Sequence, residues 1–290
     1  MKIIDAHNHP DWLGHDLDRF LKNMDSAGID KTWLLGWECP RSEYHAGTPS
    51  VVAGPLLGVS TGPIPFARCV SYAERAPERF ILGYAPDPRD EDACRKLCAA
   101  KEIYGAKICG EAKWRMMYTN PDCLRLFRTA GRLKMPVTMH FGYDFQHTYE
   151  DRRREWFGGT IDTLEDVLRS SPETKFLGHA PGFWVHISDD DLWKDNVYPE
   201  NAPVVREGRI SQLLRKYPNL FCDISAGSGL YALSRDPEYA AEFIMEFQDR
   251  ILYARDCFHN KHQEFINSLG LPQSVLEKLY YGNAERLLEE

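Results

Sequence analysis

What the sequence lacks narrows its function before any motif is considered. It has 35 lysines and arginines against 43 aspartates and glutamates, so there is no excess of positive charge. The formal net charge of -8 argues against nucleic-acid binding by bulk electrostatics, which needs a basic surface. No apolar run approaches the roughly 20 residues of a membrane span. We therefore expect that the protein binds neither nucleic acid nor a membrane, and that its substrate is a small molecule.

The eight cysteines do not suggest a disulfide framework. Cys109, Cys222 and Cys257 lie in or beside apolar runs, and Cys94 and Cys98 are one helical turn apart. Free buried thiols behave as small hydrophobic groups, and a chain of this length does not need disulfides to fold. The N-terminal apolar run ends in polar residues, unlike a signal peptide. These features predict a cytoplasmic location. They do not decide whether the protein is a monomer or a homo-oligomer.

Short apolar runs alternate with amphipathic segments along the whole chain. The runs predict eight strands, at residues 2–7, 31–37, 79–85, 104–111, 135–141, 174–180, 219–225 and 250–256. A helical segment follows each strand, which is the order of an α/β fold of the (β/α)8 TIM barrel type. A doubly wound open sheet uses the same alternation, but the count of eight and the length of 290 residues favour the barrel. We predict a single domain over residues 1–290.

Two connections between the predicted elements are long. Residues 38–63 follow strand two and are rich in glycine and proline, and residues 181–203 follow strand six. Both lie on the strand-to-helix side, where long loops usually shape a pocket or a lid. We expect both to be active-site loops.

Histidines and carboxylates stand at the C-terminal ends of five predicted strands. The candidate metal ligands are His7, His9, Glu111, His140, His179 and Asp256. Active sites of such barrels lie at this end. Residues two apart on a strand share a face, with Cα atoms about 6.6 Å apart, so His7 and His9 can reach one ion. Imidazole and carboxylate together suit Zn²⁺, and also Mn²⁺, Fe²⁺ or Ni²⁺, and a neighbouring carboxylate can take a proton from water on the ion.

Each of these residues also has an ordinary structural interpretation. A single histidine at a strand end is more often a hydrogen-bonded core or rim residue, and Asp256 alone could cap the following helix. Glu111 could pair with Lys113 or Arg115 at the rim. The whole set at matching strand ends favours a metal site.

The order of these motifs resembles the amidohydrolase superfamily of metal-dependent barrel hydrolases. The matching runs are "DAHNH", "MHF", "GHA" and "ARD", at strands one, five, six and eight. The run "YYGNAERLL" near the C-terminus is similar to that of the amidohydrolase-related branch, which includes aminocarboxymuconate-semialdehyde decarboxylase. The resemblance extends from residue 2 to residue 288.

The residues of strand four indicate how many metal ions this resemblance implies. Its "CGE" resembles the "IGE" of TatD-like deoxyribonucleases, in which the glutamate is a ligand, so Glu111 could bridge two ions. Lys107 is a lesser candidate, for carbamylation. Decarboxylating relatives typically lack such a carboxylate, so Glu111 favours hydrolysis. A nuclease function is disfavoured by the acidic net charge.

The resemblance also implies roles for the ligands. His7, His9 and Asp256 would bind the first ion, and His140 and His179 the second. In a site with one ion, His140 would complete the first set and His179 would contact the substrate. The catalytic residues would be Asp256, as general base and then general acid, and His179.

Candidate substrate contacts follow the ligand-bearing strands. We expect Lys113 and Trp184 to touch the substrate because each lies a few residues past a proposed ligand, and Tyr143 follows strand five. A solvated or packed loop residue is the alternative for each.

Two functions from different classes fit these observations. The first is a metal-dependent hydrolase that cleaves a small ester, lactone, amide or related bond. The second is a metal-dependent decarboxylase or hydratase of a small carboxylic acid on the same scaffold. A barrel used only for binding is a third alternative, but such a protein would be expected to have lost some of the ligands.

Overall fold

A computed structural model describes residues 1–43, 63–142 and 156–289. The eight strands, in chain order, are β1 Ile4–Asn8, β2 Lys31–Trp37, β3 Phe80–Ala85, β4 Cys109–Ala112, β5 Val137–His140, β6 Phe176–His179, β7 Leu220–Asp223 and β8 Ile251–Leu252. Strands β1 to β3 pair in parallel in chain order, and β4 to β8 do the same.

Backbone hydrogen bonds join the two groups of strands at both edges. The N–H of Tyr84, in β3, donates to the carbonyl of Ile108, just before β4, at 2.9 Å. The N–H of Ala6, in β1, donates to the carbonyl of Tyr253, just after β8, at 3.0 Å. The eight parallel strands therefore follow one another around the ring of a TIM barrel, which confirms the predicted fold class.

Helices separate successive strands. They are α1 Leu17–Ala27, α2 Phe66–Arg75, α3 Ala93–Tyr104, α4 Pro121–Arg132, α5 Ile161–Ser170, α6 Pro181–Trp184, α7 Arg209–Lys216, α8 Ala226–Ser234, α9 Pro237–Glu246, α10 Lys261–Ser268, α11 Gln273–Glu277 and α12 Asn283–Glu289. Local signals set several of their ends. Asp16 caps α1 by accepting from the N–H of Arg19, and Gly28 ends it at a φ of 67°, a conformation that glycine adopts without strain. No helix in the described part of the chain combines the length and apolarity needed to cross a bilayer.

Two apolar clusters show how the strands are packed. Alternate strand residues such as Trp33, Leu35 and Leu177 form the smaller cluster, together with Phe221 and Ala254. Their neighbours on the same strands join the larger cluster with the helices. Because successive side chains on a strand point to opposite faces, the smaller cluster fills the barrel and the larger one lies between barrel and helices.

The structure differs from the predicted elements in several places, including β4, which begins at Cys109 rather than at residue 104. Strand β8 is only two residues long, and the residues after it bond to β1, where the N–H of Asp256 donates to the carbonyl of His7 at 2.8 Å. Helix α8 was not predicted, since its "AGSG" start has low helix propensity. The spacing of residues 204–217 predicts one helix, but this segment is helical only from Arg209.

The two long connections are described to different extents. Residues 181–203 are not a plain loop, because they contain α6 and two 3₁₀ turns, Val185–Ile187 and Leu192–Lys194. Of residues 38–63, the structure describes a 3₁₀ turn at Arg41–Glu43, while residues 44–62 lie outside the described part.

Candidate metal and active site

The structure brings all six predicted ligands to one end of the barrel. They lie in or directly after strands β1, β4, β5, β6 and β8, at the C-terminal ends. His140 and His179 are partners in the pairing of β5 with β6, so their side chains are neighbours. His7, His9, Glu111 and His179 are at most 1% exposed, and the side chains of His140 and Asp256 are 14% exposed.

Glu111 lies at the centre of the cluster. Its Oε1 is 2.6 Å from His140 Nδ1 and 3.5 Å from His179 Nε2. Its Oε2 is 3.6 Å from His9 Nε2. His9 Nε2 is also 3.6 Å from Asp256 Oδ1. The two oxygens of Glu111 therefore face different histidines. Oε2 faces His9, and Oε1 faces His140, His179 and, at 3.9 Å, His7 Nε2.

The sequence-based prediction missed Asp223, the last residue of β7. This carboxylate is fully buried and binds two of the predicted ligands, with Oδ2 2.9 Å from His7 Nδ1 and Oδ1 3.0 Å from His179 Nδ1. Ser225 also donates to Oδ1, from its N–H at 3.1 Å and from its Oγ at 2.6 Å. An acidic residue at the end of "LFCD" was the available signal.

Hydrogen bonds at Nδ1 orient three of the candidate ligand histidines. Asp223 can accept only, so His7 and His179 each donate from Nδ1 and direct the Nε2 atom into the site. His9 Nδ1 likewise donates to the carbonyl of Leu35 at 2.7 Å. Such outer hydrogen bonds set the tautomer and ring orientation of metal-binding histidines. Three Nε2 atoms thereby face one cavity.

The carboxylates beneath the histidines stay charged despite burial. Burial alone would raise the pKa of Glu111, but the positive charge of Lys113 and contacts with His140 and His7 hold that pKa well below its usual range. Burial would likewise raise the pKa of Asp223, but His179 and His7 hold it well below its usual range. The site thus keeps two buried negative charges near neutral pH.

The other ionisable groups are shifted in ways that suit ligands and a proton carrier. Burial lowers the pKa of His9 and of His140 to about 3, so both rings are neutral. Burial opposes protonation of His7 too, but Asp223 outweighs it and raises the pKa to about 9, so a metal ion would displace a proton there. Burial raises the pKa of Asp256 to about 6.

Several buried polar atoms in the cluster have no hydrogen-bond partner among the described residues. They include His7 Nε2, Glu111 Oε2 and Asp256 Oδ1. Unsatisfied buried polar atoms are expensive, so their convergence calls for an additional group. Two three-donor sets could hold an ion, namely His7 with His9 and Asp256, and His7 with Glu111 and His179. Neutral imidazoles with buried carboxylates fit a divalent metal ion.

The predicted substrate contacts have different surroundings. Lys113 Nζ lies over the rings of Trp37, at 5.4 Å, and Phe157, at 5.5 Å, and its charge acts on Glu111. Trp184 is 1% exposed and its Nε1–H donates to the backbone carbonyl of Asp223 at 3.0 Å. Trp184 therefore packs behind β7, and its contact with a substrate stays a prediction. Tyr143 lies outside the described residues.

Known structures share this architecture over nearly the whole chain. An uncharacterized TIM-barrel protein from Bordetella bronchiseptica is 19% identical, with a TM-score of 0.65 over 100% of this chain and 99% of that chain. The 5-carboxyvanillate decarboxylase of Sphingomonas paucimobilis is 16% identical, with a TM-score of 0.61 over 99% of each chain. That of Novosphingobium aromaticivorans, complexed with manganese and 4-hydroxy-3-methoxy-5-nitrobenzoic acid, is 16% identical, with a TM-score of 0.60 over 96% of this chain and 82% of that chain.

Sequence comparison assigns the family. No curated protein matches this sequence. The family model described as amidohydrolase matches residues 4–289, from the first strand to the last helix. The chain belongs to the amidohydrolase family.

Proposed function

We propose that this protein is a metal-dependent hydrolase that cleaves a small ester, lactone, amide or related bond. The observation that supports it is the position of Glu111, with Oε1 3.5 Å from His179 Nε2 and Oε2 3.6 Å from His9 Nε2. A carboxylate between two groups of histidines is suited to bridging two ions, and paired ions are typical of hydrolytic sites.

A divalent ion, with Zn²⁺ as our first proposal and Mn²⁺ as the second, would make water nucleophilic at neutral pH and polarise the oxygen of the scissile group. His7, His9 and Asp256 would hold one ion, and Glu111, His140 and His179 would hold the other. Asp223 would keep His7 and His179 in the tautomer that binds metal, through its bonds of 2.9 and 3.0 Å.

Asp256 is the proposed general base and acid. Its Oδ1 is buried, lacks a hydrogen-bond partner among the described residues and lies 3.6 Å from His9 Nε2. In the metal-free protein its pKa of about 6 is close to neutral, where a carboxylate can accept a proton and return it. We assign it the transfer of the proton from the attacking water to the leaving group.

Lys113 is the proposed binding group for a negatively charged part of the substrate. The charge of its ammonium group lowers the pKa of Glu111, and the group lies beside the rings of Trp37 and Phe157. An ammonium group attracts a carboxylate, and aromatic walls pack against a planar ring. The preferred substrate would then be a small planar molecule with both a carboxylate and a hydrolysable bond.

Decarboxylation of an aromatic acid is the second candidate function. Two of the structures similar to this one are named as 5-carboxyvanillate decarboxylases, and one of them is complexed with manganese and a nitrobenzoic acid. Lys113 with its aromatic neighbours would suit such an acid equally well. In this case His179, at the end of β6, would handle the proton.

Metal content followed by a paired substrate screen distinguishes the two functions. The metal-loaded protein is offered aromatic and heteroaromatic esters and lactones that carry a carboxylate, and separately the free acids with detection of carbon dioxide. The hydrolase proposal expects cleavage of the first set, with Glu111→Gln losing at least about 100-fold in rate because an ion ligand is removed. Glu165→Gln, which changes a carboxylate far from the site, is the matched control and keeps full activity.

Three outcomes count against the proposal. Carbon dioxide release from a free acid without any hydrolysis would replace it with the second function. Full hydrolytic activity in Glu111→Gln would remove the bridging argument. Failure of the purified protein to bind any divalent ion would exclude both functions.

A further inference from the structure

A second group of metal-binding side chains lies just beyond Asp256. We propose that Cys257, His259 and His262 form a separate site for a thiophilic divalent ion such as Zn²⁺. The three donor atoms lie within 4.8 Å of one another. The proposal does not depend on the reaction of the amidohydrolase site, because none of these three residues belongs to that cluster.

The distances suit a tetrahedral ion. Cys257 Sγ is 3.6 Å from His259 Nδ1. Bond lengths of about 2.3 Å to sulfur and 2.0–2.1 Å to nitrogen at a tetrahedral angle separate the two donors by about 3.6 Å. The rings of His259 and His262 are stacked, with centroids 5.7 Å apart and planes 11° apart.

His262 is already oriented as a ligand. Its Nε2 lies 3.0 Å from the carbonyl of Ala226, which can only accept, so the proton is on Nε2 and the lone pair on Nδ1. His262 is 1% exposed, and its Nδ1 has no hydrogen-bond partner in the part of the chain that the structure describes. A histidine that donates one ring N–H to a carbonyl and leaves the other nitrogen free is the usual arrangement at a metal. The buried Nδ1 lone pair is the second, independent sign of a missing ligand.

Charges near the site nearly cancel before an ion binds. Arg255 is fully buried, and its Nε donates to Asp5 at 3.0 Å, so its positive charge is paired. A divalent ion that binds Cys257 as a thiolate adds one net positive charge to the site. The neighbouring residue Asp256 carries a carboxylate that can offset this charge. His259 is exposed, so water would complete the coordination, as in three-ligand zinc sites.

The second site is connected to the first through the backbone. Asn8 lies between His7 and His9, and its Nδ2 donates to the carbonyl of Cys257 at 3.0 Å. A shift of Cys257 on ion binding would therefore reach both Asp256 and the β1 histidines. Occupancy of this site is thus expected to alter catalysis without contributing a catalytic residue.

Titration with Co²⁺ alone tests the proposal on the full-length protein stripped of metal. A thiolate–Co²⁺ charge-transfer band reports this site specifically, because the six ligands at the barrel mouth include no cysteine. We expect the band in the unaltered protein and its loss in Cys257→Ser. His259→Ala, at an exposed position, should weaken the Co²⁺ affinity read from the band by roughly tenfold or more. Cys39→Ser is the matched control, since Cys39 is a half-buried thiol after β2, and it should keep the band.

The result that overturns the proposal is absence of the band, or its survival in Cys257→Ser. His262→Gln serves as a second variant because its amide can still donate to the Ala226 carbonyl while offering no imidazole. It should lose the band and keep its fold, as judged by circular dichroism. Hydrolysis or carbon dioxide release is not part of this measurement, so its outcome is separate from that of the proposed function.

Discussion

Asp223→Asn is the most direct test of how the site is organised. The carboxylate Oδ1 accepts from His179 Nδ1 and from both the N–H and the Oγ of Ser225. The asparagine carbonyl is expected to take that position, because three donors meet there. Its NH₂ group then replaces Oδ2 and faces His7 Nδ1, 2.9 Å away in the unaltered protein.

Two donors cannot form a hydrogen bond with each other, so we expect the proton on the His7 ring to move from Nδ1 to Nε2. Its Nδ1 becomes the acceptor and Nε2 carries the hydrogen, which blocks the atom that points into the site. His7 is a proposed ligand of one ion and also belongs to the second three-donor set, so we expect weaker metal binding. Loss of an outer partner of a metal-bound histidine lowers affinity by roughly 10- to 100-fold. That corresponds to about 1.4–2.7 kcal/mol of binding free energy.

Competition with a chromophoric chelator measures this change for Zn²⁺ and for Mn²⁺. The matched control is Asp190→Asn, a largely buried carboxylate that pairs with Arg235 at 2.9 Å outside the site. The control should unfold at a lower temperature but bind metal as before. Equal metal affinity in Asp223→Asn and in the unaltered protein would refute the argument that Asp223 sets the tautomer of His7.

Three further predictions concern metal loading, packing and surface charge. Saturating a metal-free sample with Zn²⁺ should raise its thermal midpoint, since free ion at 1,000 times the dissociation constant adds about 4 kcal/mol to the unfolding free energy; an unchanged midpoint would contradict a structural role of the ion. Gly178→Ala should destabilise the protein by about 1–3 kcal/mol in chemical denaturation, because a Cβ there would lie 2.3 Å from the buried Phe183 ring, whereas Gly227→Ala meets only the half-exposed Tyr231 ring at 3.0 Å and should be tolerated. Glu165→Gln should lower the midpoint at pH 7 by about 2 °C, or about 1 kcal/mol after solvent screening, because Lys216 and Arg209 lower the pKa of Glu165 to about 2. The stabilisation is present above the unfolded value of 4.5 and is lost as pH falls toward 2, so the difference from the unaltered protein should shrink over that range and a constant difference would argue against it.

Local pattern was sufficient to place the strands and most of the candidate ligands. A run of apolar residues buried on both faces predicts a parallel strand, and a polar residue where the run stops predicts a side chain at the barrel mouth. His7, His9, His140 and His179 all follow this rule. Glu111 required the comparison of "CGE" with a related motif, because a lone glutamate at a strand end has many explanations.

Residues that act through other residues were harder to predict. Asp223 follows the same strand-end rule, but its importance depends on reaching His7, 216 residues away, and His179 at the same time. Trp184 and Lys113 look equivalent in sequence, since each follows a proposed ligand closely. Only the tertiary packing distinguishes their environments. Trp184, at the end of α6, packs behind β7, whereas Lys113 lies beside Trp37 and Phe157.

The order of apolar and polar residues, which is a local property, determined the barrel and the end of it that carries the histidines and Glu111. Tertiary structure decided the rest, namely which nitrogen of each histidine faces the cavity, which carboxylate lies beneath them, and that Cys257 comes near His259 and His262. Those features depend on distances between side chains and on hydrogen bonds between distant strands, and a linear pattern of residues does not specify either.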